Sequence, residues 1–254
     1  MPKIAVLVLD TPVPTFKETY GDFGDQAIQV LQTSPLSKDF EFVKFKTIDK
    51  FEVPAIEDLK AGKYAALYLS GSRCDSFDDS IEWIRKLVLY IKTILQLQVQ
   101  DPKFKIVLIG VCFGHQIIAR AAGLDVGRNS KGWEIGVTKV SSSEKFTTDF
   151  NCPSFNVVEM HQDIVLSGKL PESWYLVGST PIAKFQGLYS PGHVITFQGH
   201  PEFSTEFGDK LVVKRRDSGV ITDEKYREIV RRNKELPNEG SLLAGIIMKI
   251  VVGN

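Results

Sequence analysis

The chain reads as an α/β fold with a mostly parallel central sheet, helices on both faces and a small antiparallel extension. Nearly unbroken apolar runs at 3–9, 64–69 and 105–109 have the length and texture of strands buried on both faces. Segments with apolar residues at helical spacing alternate with them. The resulting β-α-β-α-β-α order requires a parallel sheet with right-handed crossovers. From Trp133 onward the texture changes to short strands divided by Pro and Gly turns, the mark of antiparallel or mixed sheet. The 254 residues are 43% hydrophobic, enough to bury the core of one domain spanning 1–254, and no repeat or linker divides them.

After the first strand comes a loop with Pro12 and Pro14, followed by a helical pattern from Asp25 that includes Ala27, Ile28, Val30 and Leu31. Residues 40–45 alternate as a second strand, and 57–61 suggest a short helix. The run at 64–69 is the third strand, with Ser70-Gly71-Ser72 at its carboxyl end. Asp78-Asp79-Ser80 offers cap chemistry for a long helix in which Ile81, Ile84, Val88, Ile91 and Leu95 share a face. Asp101-Pro102 stops it before the strand at 105–109. Later strands are expected at 134–140, 156–160, 174–178, 182–185 and 194–198. Two helices follow, 223–233 capped by Thr222 and 242–251 capped by Ser241.

Composition excludes several functions. Lys plus Arg and Asp plus Glu both total 31, so no basic excess points to nucleic acid. No apolar run approaches the roughly 18 residues of a membrane span, and the N-terminus does not resemble a signal peptide. Cys74, Cys112 and Cys152 are odd in number and far apart, so neither a disulfide framework nor a zinc site is indicated. A reducing, cytoplasmic setting fits best. No metal, nucleotide or flavin signature is present, and no cofactor is expected.

The most informative stretch is Gly110-Val111-Cys112-Phe113-Gly114-His115-Gln116. It lies between an apolar strand and a helical pattern, so the cysteine occupies a strand-to-helix turn of the form G-x-nucleophile-x-G. Such a turn holds the side chain over a helix N-terminus, where the positive dipole end favours a thiolate. The Phe113 N–H points where an oxyanion would develop, and Gly71, at the end of the neighbouring strand, is the natural second donor. Four histidines are available as a base. His115 sits one turn into the helix and is expected to pack against the sheet. His193 belongs to a solvated hairpin turn. His161 lies either in a polar turn or in a loop lining the substrate. His200, in Gly199-His200-Pro201-Glu202, closes a strand, and Glu202 can fix its tautomer. Cys112, His200 and Glu202 thus form a candidate triad. Gln116 is read on the exposed side of its helix, facing substrate. Trp83 and Trp133 are read as core.

The turn motif and Gly199–Glu202 together resemble the class I, or triad, glutamine amidotransferases. Tyr20-Gly21-Asp22-Phe23, Ser70-Gly71-Ser72-Arg73, Gly132-Trp133-Glu134-Ile135-Gly136 and His161-Gln162-Asp163 resemble the stand-alone, GMP-synthase-like branch that includes the γ-glutamyl peptidases. The resemblance implies a flavodoxin-like three-layer α/β sandwich and a γ-glutamyl small molecule as substrate. It implies attack by Cys112, proton transfer by His200, orientation by Glu202, and oxyanion donors at Gly71 and Phe113. It places Gln116, His161 and Gln162 at the glutamyl moiety. Met160 and Gln162 stand where amidotransferases usually carry Ser or Asn and then Gly, which tilts the expectation toward a peptidase. No synthetase domain is expected, so released ammonia would need a separate accepting enzyme or would simply be lost. The competing expectation is a non-catalytic protein that uses Cys112 as a redox sensor or binding group. Residues 20–23 are read as a lid.

Overall fold

The computed structural model describes Met1–Gly253. Strands and helices occur in the order β1 (Lys3–Val8), α1 (Pro14–Tyr20), α2 (Phe23–Leu31), β2 (Glu41–Lys46), α3 (Thr47–Lys50), α4 (Ile56–Lys60), β3 (Tyr64–Leu69), α5 (Glu82–Gln100), β4 (Val107–Val111) and α6 (Phe113–Ala121). Then come β5 (Asp125–Arg128), β6 (Glu134–Ser142), α7 (Glu144–Phe150), β7 (Ser154–His161), β8 (Asp163–Ser167), β9 (Tyr175–Leu176), β10 (Gly178–Ser179), β11 (Leu188–Ser190) and β12 (Val194–Phe197). Helices α8 (Thr205–Asp217), α9 (Asp223–Glu235) and α10 (Gly240–Val252) complete the described chain.

Seven strands form the main sheet in the order β2-β1-β3-β4-β12-β11-β9. The first five are mutually parallel, and β11 and β9 add an antiparallel edge. This is the doubly wound arrangement, in which the chain reverses direction across β1 and β3 and sites lie at the carboxyl ends of the strands. One face packs α2 and α10 around Ile4, Val6, Tyr68 and Ile109. The other packs α5 and α6 around Ala5, Leu7, Leu67 and Leu108. The antiparallel extension consists of a three-stranded sheet, β10-β6-β7, and the pair β5-β8. No described helix is long and apolar enough to cross a membrane.

Several expectations need correction. The strand before the cysteine runs from Val107 to Val111, so the turn begins only at Cys112. The long helix starts at Glu82 after Ile81, with no side-chain cap. The Asp78 carboxylate instead accepts from Ser80 N at 2.9 Å, closing a local turn. Residues 182–185 form no strand. Pro181 brings no N–H, Thr180 N donates to Ala183 O at 2.9 Å, and the Thr180 hydroxyl accepts from Ala183 N at 3.1 Å, so the segment is a turn. Helix α10 begins at Gly240 after Glu239 rather than at a Ser241 cap. Glu239 is tied to β7 at Asn156, and a Cβ on Gly240 would lie 2.1 Å from Pro201 O. Thr222 does cap α9 through Lys225 N. Four helices went unread, the short α3 and α7, α1 in the proline loop and α8 after Glu202, and the last two border the site.

Candidate active site

Cys112 joins β4 to α6 with φ 51° and ψ −104°, a backbone conformation that L residues rarely adopt. The flanking glycines make the turn possible. A Cβ on Gly110 would lie 2.8 Å from the Gly114 carbonyl group, and one on Gly114 would lie 2.3 Å from Leu69 O. The turn therefore presses against itself and against β3, which brings the Cys112 side chain to the carboxyl edge of the sheet. The Cys112 N–H is spent on Phe197 O at 2.9 Å. Phe113 is the first residue of α6, so its N–H has no acceptor within the helix. Gly71 lies just beyond β3. A Cβ there would be 3.1 Å from His200 Cε1 and 3.8 Å from Cys112 Cβ. The following loop is fixed by Arg73, whose Nε and N–H both donate to Asp10 Oδ2, at 2.7 and 2.9 Å.

His200 follows β12 and reaches the same point. Its N–H donates to Val158 O at 2.8 Å, its ring stacks on Phe203 at 4.0 Å, and Nδ1 lies 2.8 Å from Glu202 Oε1. The Asn238 side chain clamps the loop by donating to the carbonyls of His200, Pro201 and Phe203 at 3.2, 3.4 and 2.6 Å. Burial opposes a charged ring. The Glu202 carboxylate and the hydrogen-bonded Cys112 side chain outweigh it and hold the imidazolium up to about 10. The strained Cys112 thiol and the buried His200 ring, backed by the Glu202 carboxylate, border one cavity of about 450 Å³, which is also lined by Gly71, Gln116, His161 and Gln162.

Residues 21–216 match the family described as glutamine amidotransferase class-I. The chain belongs to that family. A glutamine amidotransferase-like protein of Schizosaccharomyces pombe is 36% identical over 98% of both chains. Gamma-glutamyl peptidase 2 of Arabidopsis thaliana is 34% identical over 77% of this chain and 74% of its own length. The crystal structure of a glutamine amidotransferase from Thermotoga maritima superposes with a TM-score of 0.67 at 19% identity, covering 98% of each chain. The flavodoxin-like class I amidotransferase fold is therefore this chain's fold.

The cavity borders Gly71, Cys112, Gln116, His161, Gln162 and His200, with Phe113 and Glu202 close by in the chain, and some of these sit otherwise than expected. Gln116 is buried rather than exposed, and its Nε2 donates to Asp163 O at 2.8 Å and Gln198 Oε1 at 3.1 Å. Its amide hydrogens are thus directed at protein acceptors. His115 is internal as expected. Nδ1 lies 2.8 Å from Thr196 Oγ1, and burial, with the nearby His161, pushes the ring down to about 3, so it is neutral. His193 is half-buried rather than fully solvated. Trp83 packs on Phe113, in the core. Trp133 packs beside Ile135 and Met160 and also lines the cavity. Of residues 20–23, Phe23 borders the cavity, while Tyr20 packs edge-on against Phe207 and its hydroxyl donates to Glu206 at 2.8 Å.

Two buried acids were missed. Strand register pairs Glu134 with His161, and Glu159 lies two residues before His161 on the same face of β7. His161 Nε2 lies 3.3 Å from Glu134 Oε2 and 3.0 Å from Glu159 Oε2. Burial disfavours its charge, but the two acids reverse the balance and hold it up to about 10. Burial pushes the Glu159 carboxyl up, with His161 opposing. These three are the described residues with donors spaced for a metal, all within 4.8 Å of one another, and the His161 proton satisfies the same charge. The alternation Glu159-x-His161 on a strand was the signal available in the sequence. The cavity also borders Phe16 and Phe23 from the first two helices, and Phe207, Lys214 and Arg215 from α8.

Proposed function

We propose that the protein hydrolyses γ-glutamyl amide bonds through a γ-glutamyl thioester on Cys112, with γ-glutamyl peptides preferred to free glutamine. The observation that carries this reading is that Cys112 and His200 meet at one cavity with Glu202 bonded to the far ring nitrogen. His200 lies beside the Cys112 sulfur, placed to hold the proton that the attacking thiolate gives up. Sulfur adds to the γ-carbonyl carbon, and the oxyanion is met by the N–H groups of Gly71 and Phe113. The C–N bond then breaks, and His200 passes its proton to the leaving amine. Water attacks the thioester, His200 takes its proton, and glutamate leaves as the thiol is restored. Glu202 keeps the ring oriented throughout. Gln116, His161 and Gln162 form the wall at the glutamyl head.

Preference for a peptide rests on the cavity beyond the triad. Its volume of about 450 Å³ exceeds what one amino acid needs and falls within the roughly 300–1,000 Å³ of sites for larger ligands. A glutaminase serving a separate ammonia-accepting enzyme gives that space no occupant. A purely redox-sensing protein needs the thiol but gives no reason for His200 and Glu202 to be buried beside it. The test is glutamate release from glutamine and from glutathione by the purified protein. We expect turnover of glutathione with kcat/KM at least about tenfold above glutamine, a difference of about 1.4 kcal/mol. Turnover of glutamine alone would overturn the preference, and no turnover of either would favour the non-catalytic reading.

A further inference from the structure

Four basic residues border the cavity, and they divide into two pairs. Arg73 is held by Asp10 at 2.7 Å, and Arg128 by Asp75 at 2.9 Å and Asp163 at 2.6 Å. Lys214 and Arg215, consecutive on α8, make no ion pair or side-chain hydrogen bond to any described residue. They lie against aromatic faces instead, Lys214 Nζ 5.7 Å from the Phe16 ring centre and Arg215 4.5 Å from that of Trp133. Other cations of the same helix are paired, Lys210 with Glu206 and Arg216 with Asp217. The two cations bordering the cavity are thus the unpaired ones. Arg215 is half-buried, and burial with no compensating acid pushes its guanidinium down from the usual range. A half-buried, unpaired guanidinium gains most from an anion brought by a ligand.

The surrounding wall indicates which part of a ligand that anion belongs to. From the His200 ring, aromatic contacts run to Phe203 at 4.0 Å, Phe207 at 4.6 Å and Phe16 at 5.6 Å, where Lys214 sits. If His200 protonates the leaving amine, as in the function proposed above, the surface beginning at His200 faces the leaving group. In that reaction the glutamyl head would lie toward Gln116 and Gln162, which also border the cavity. We infer that the aromatic wall ending at Lys214, with Arg215 next to it in sequence and stacked on Trp133, is a leaving-group subsite, selecting amines that carry an apolar side chain and a free carboxylate. This inference rests on the proposed reaction only for the direction in which the substrate lies.

The experiment compares γ-glutamyl-phenylalanine with γ-glutamyl-phenylalaninamide, which lacks only the carboxylate charge. Affinity is measured calorimetrically on Cys112→Ser protein, and kcat/KM on the parent. The acid is expected to bind about tenfold or more tightly than the amide, the scale of one charge-assisted hydrogen bond. Arg215→Ala should bring that ratio to near one, and Arg215→Lys should retain part of it. Equal affinities for acid and amide, or a ratio unmoved by Arg215→Ala, would overturn the subsite whether or not either compound is hydrolysed. No binding of either would overturn it as well. An Arg215-dependent preference without turnover by the parent would sustain the subsite and remove the hydrolytic reading.

Discussion

The chain buries two imidazoles held up to about 10, His200 and His161, and only one of them lies against a thiol. His200 shares its proton with one carboxylate and lies against a thiol on a strained turn. His161 sits between two carboxylates on regular antiparallel strands, with no such thiol among the influences that set its charge. A raised imidazole is therefore the work of neighbouring acids and does not by itself mark a base. What separates the two is the partner opposite the ring and the backbone that presents it. The Cys112 turn carries strain of the order of 1–3 kcal/mol, which the packing of Gly110 and Gly114 must sustain. The His161 cluster stores none of that and instead balances charge in the interior.

The widest separation between the two sites should come from turnover. Cys112→Ala and His200→Ala are each expected to lower glutamate release from a γ-glutamyl peptide by about 10⁴-fold or more. Retention of a tenth of the activity by either variant would dissolve the distinction. The next effect is on stability. His161→Ala strands Glu134 and Glu159 without their counter-charge, and urea unfolding should show a loss of about 3–5 kcal/mol. Adding Glu159→Gln to that variant should recover part of it. An unchanged midpoint in the single variant would show that the acids do not need the ring.

The smallest effect is the pH profile of stability. Folded His200 and His161 keep protons that the unfolded chain releases above 6.5, so their contribution is full below 6.5 and is lost as pH rises toward about 10. Glu159, pushed up by burial, acts in the same direction. His115 does the opposite. Neutral in the fold down to about 3, it contributes above 6.5 and loses that contribution as pH falls. Melting temperature should therefore decline on both sides of neutrality. His161→Gln should flatten the alkaline side, and an unaltered alkaline slope would assign that slope to other groups.

The parallel sheet and the thiol turn were legible because their patterns are local. Buried parallel strands are written as apolar runs, and a strand-turn-helix with close backbone approach demands glycines at fixed places. Helix α8 was not read because its buried set is thin, only Phe207, Gly208 and Val212, although Ser204 followed by Phe207 supplied the cap that the structure uses. Helix α1 buries no residue fully, so no apolar stripe announced it. The Glu134–Glu159–His161 cluster depends on the register between β6 and β7, and pairing between distant segments leaves only a faint trace in either one. The division of the cavity's cations into paired and unpaired was beyond sequence reading, since it depends on which acids the fold brings near.

The Asn238 clamp has a temporal side. Synthesis runs from residue 1 upward, so the elbow and its partner β3 are made well before the loop that bears His200, while its other sheet partner, β12, is made just ahead of that loop. That loop is fastened by a side chain made later still, from the segment leading into α10. A growing chain can thus complete both strands beside the thiol turn before the side chain that clamps the His200 loop exists, and that loop gains its full set of contacts only once the segment leading into α10 has been made.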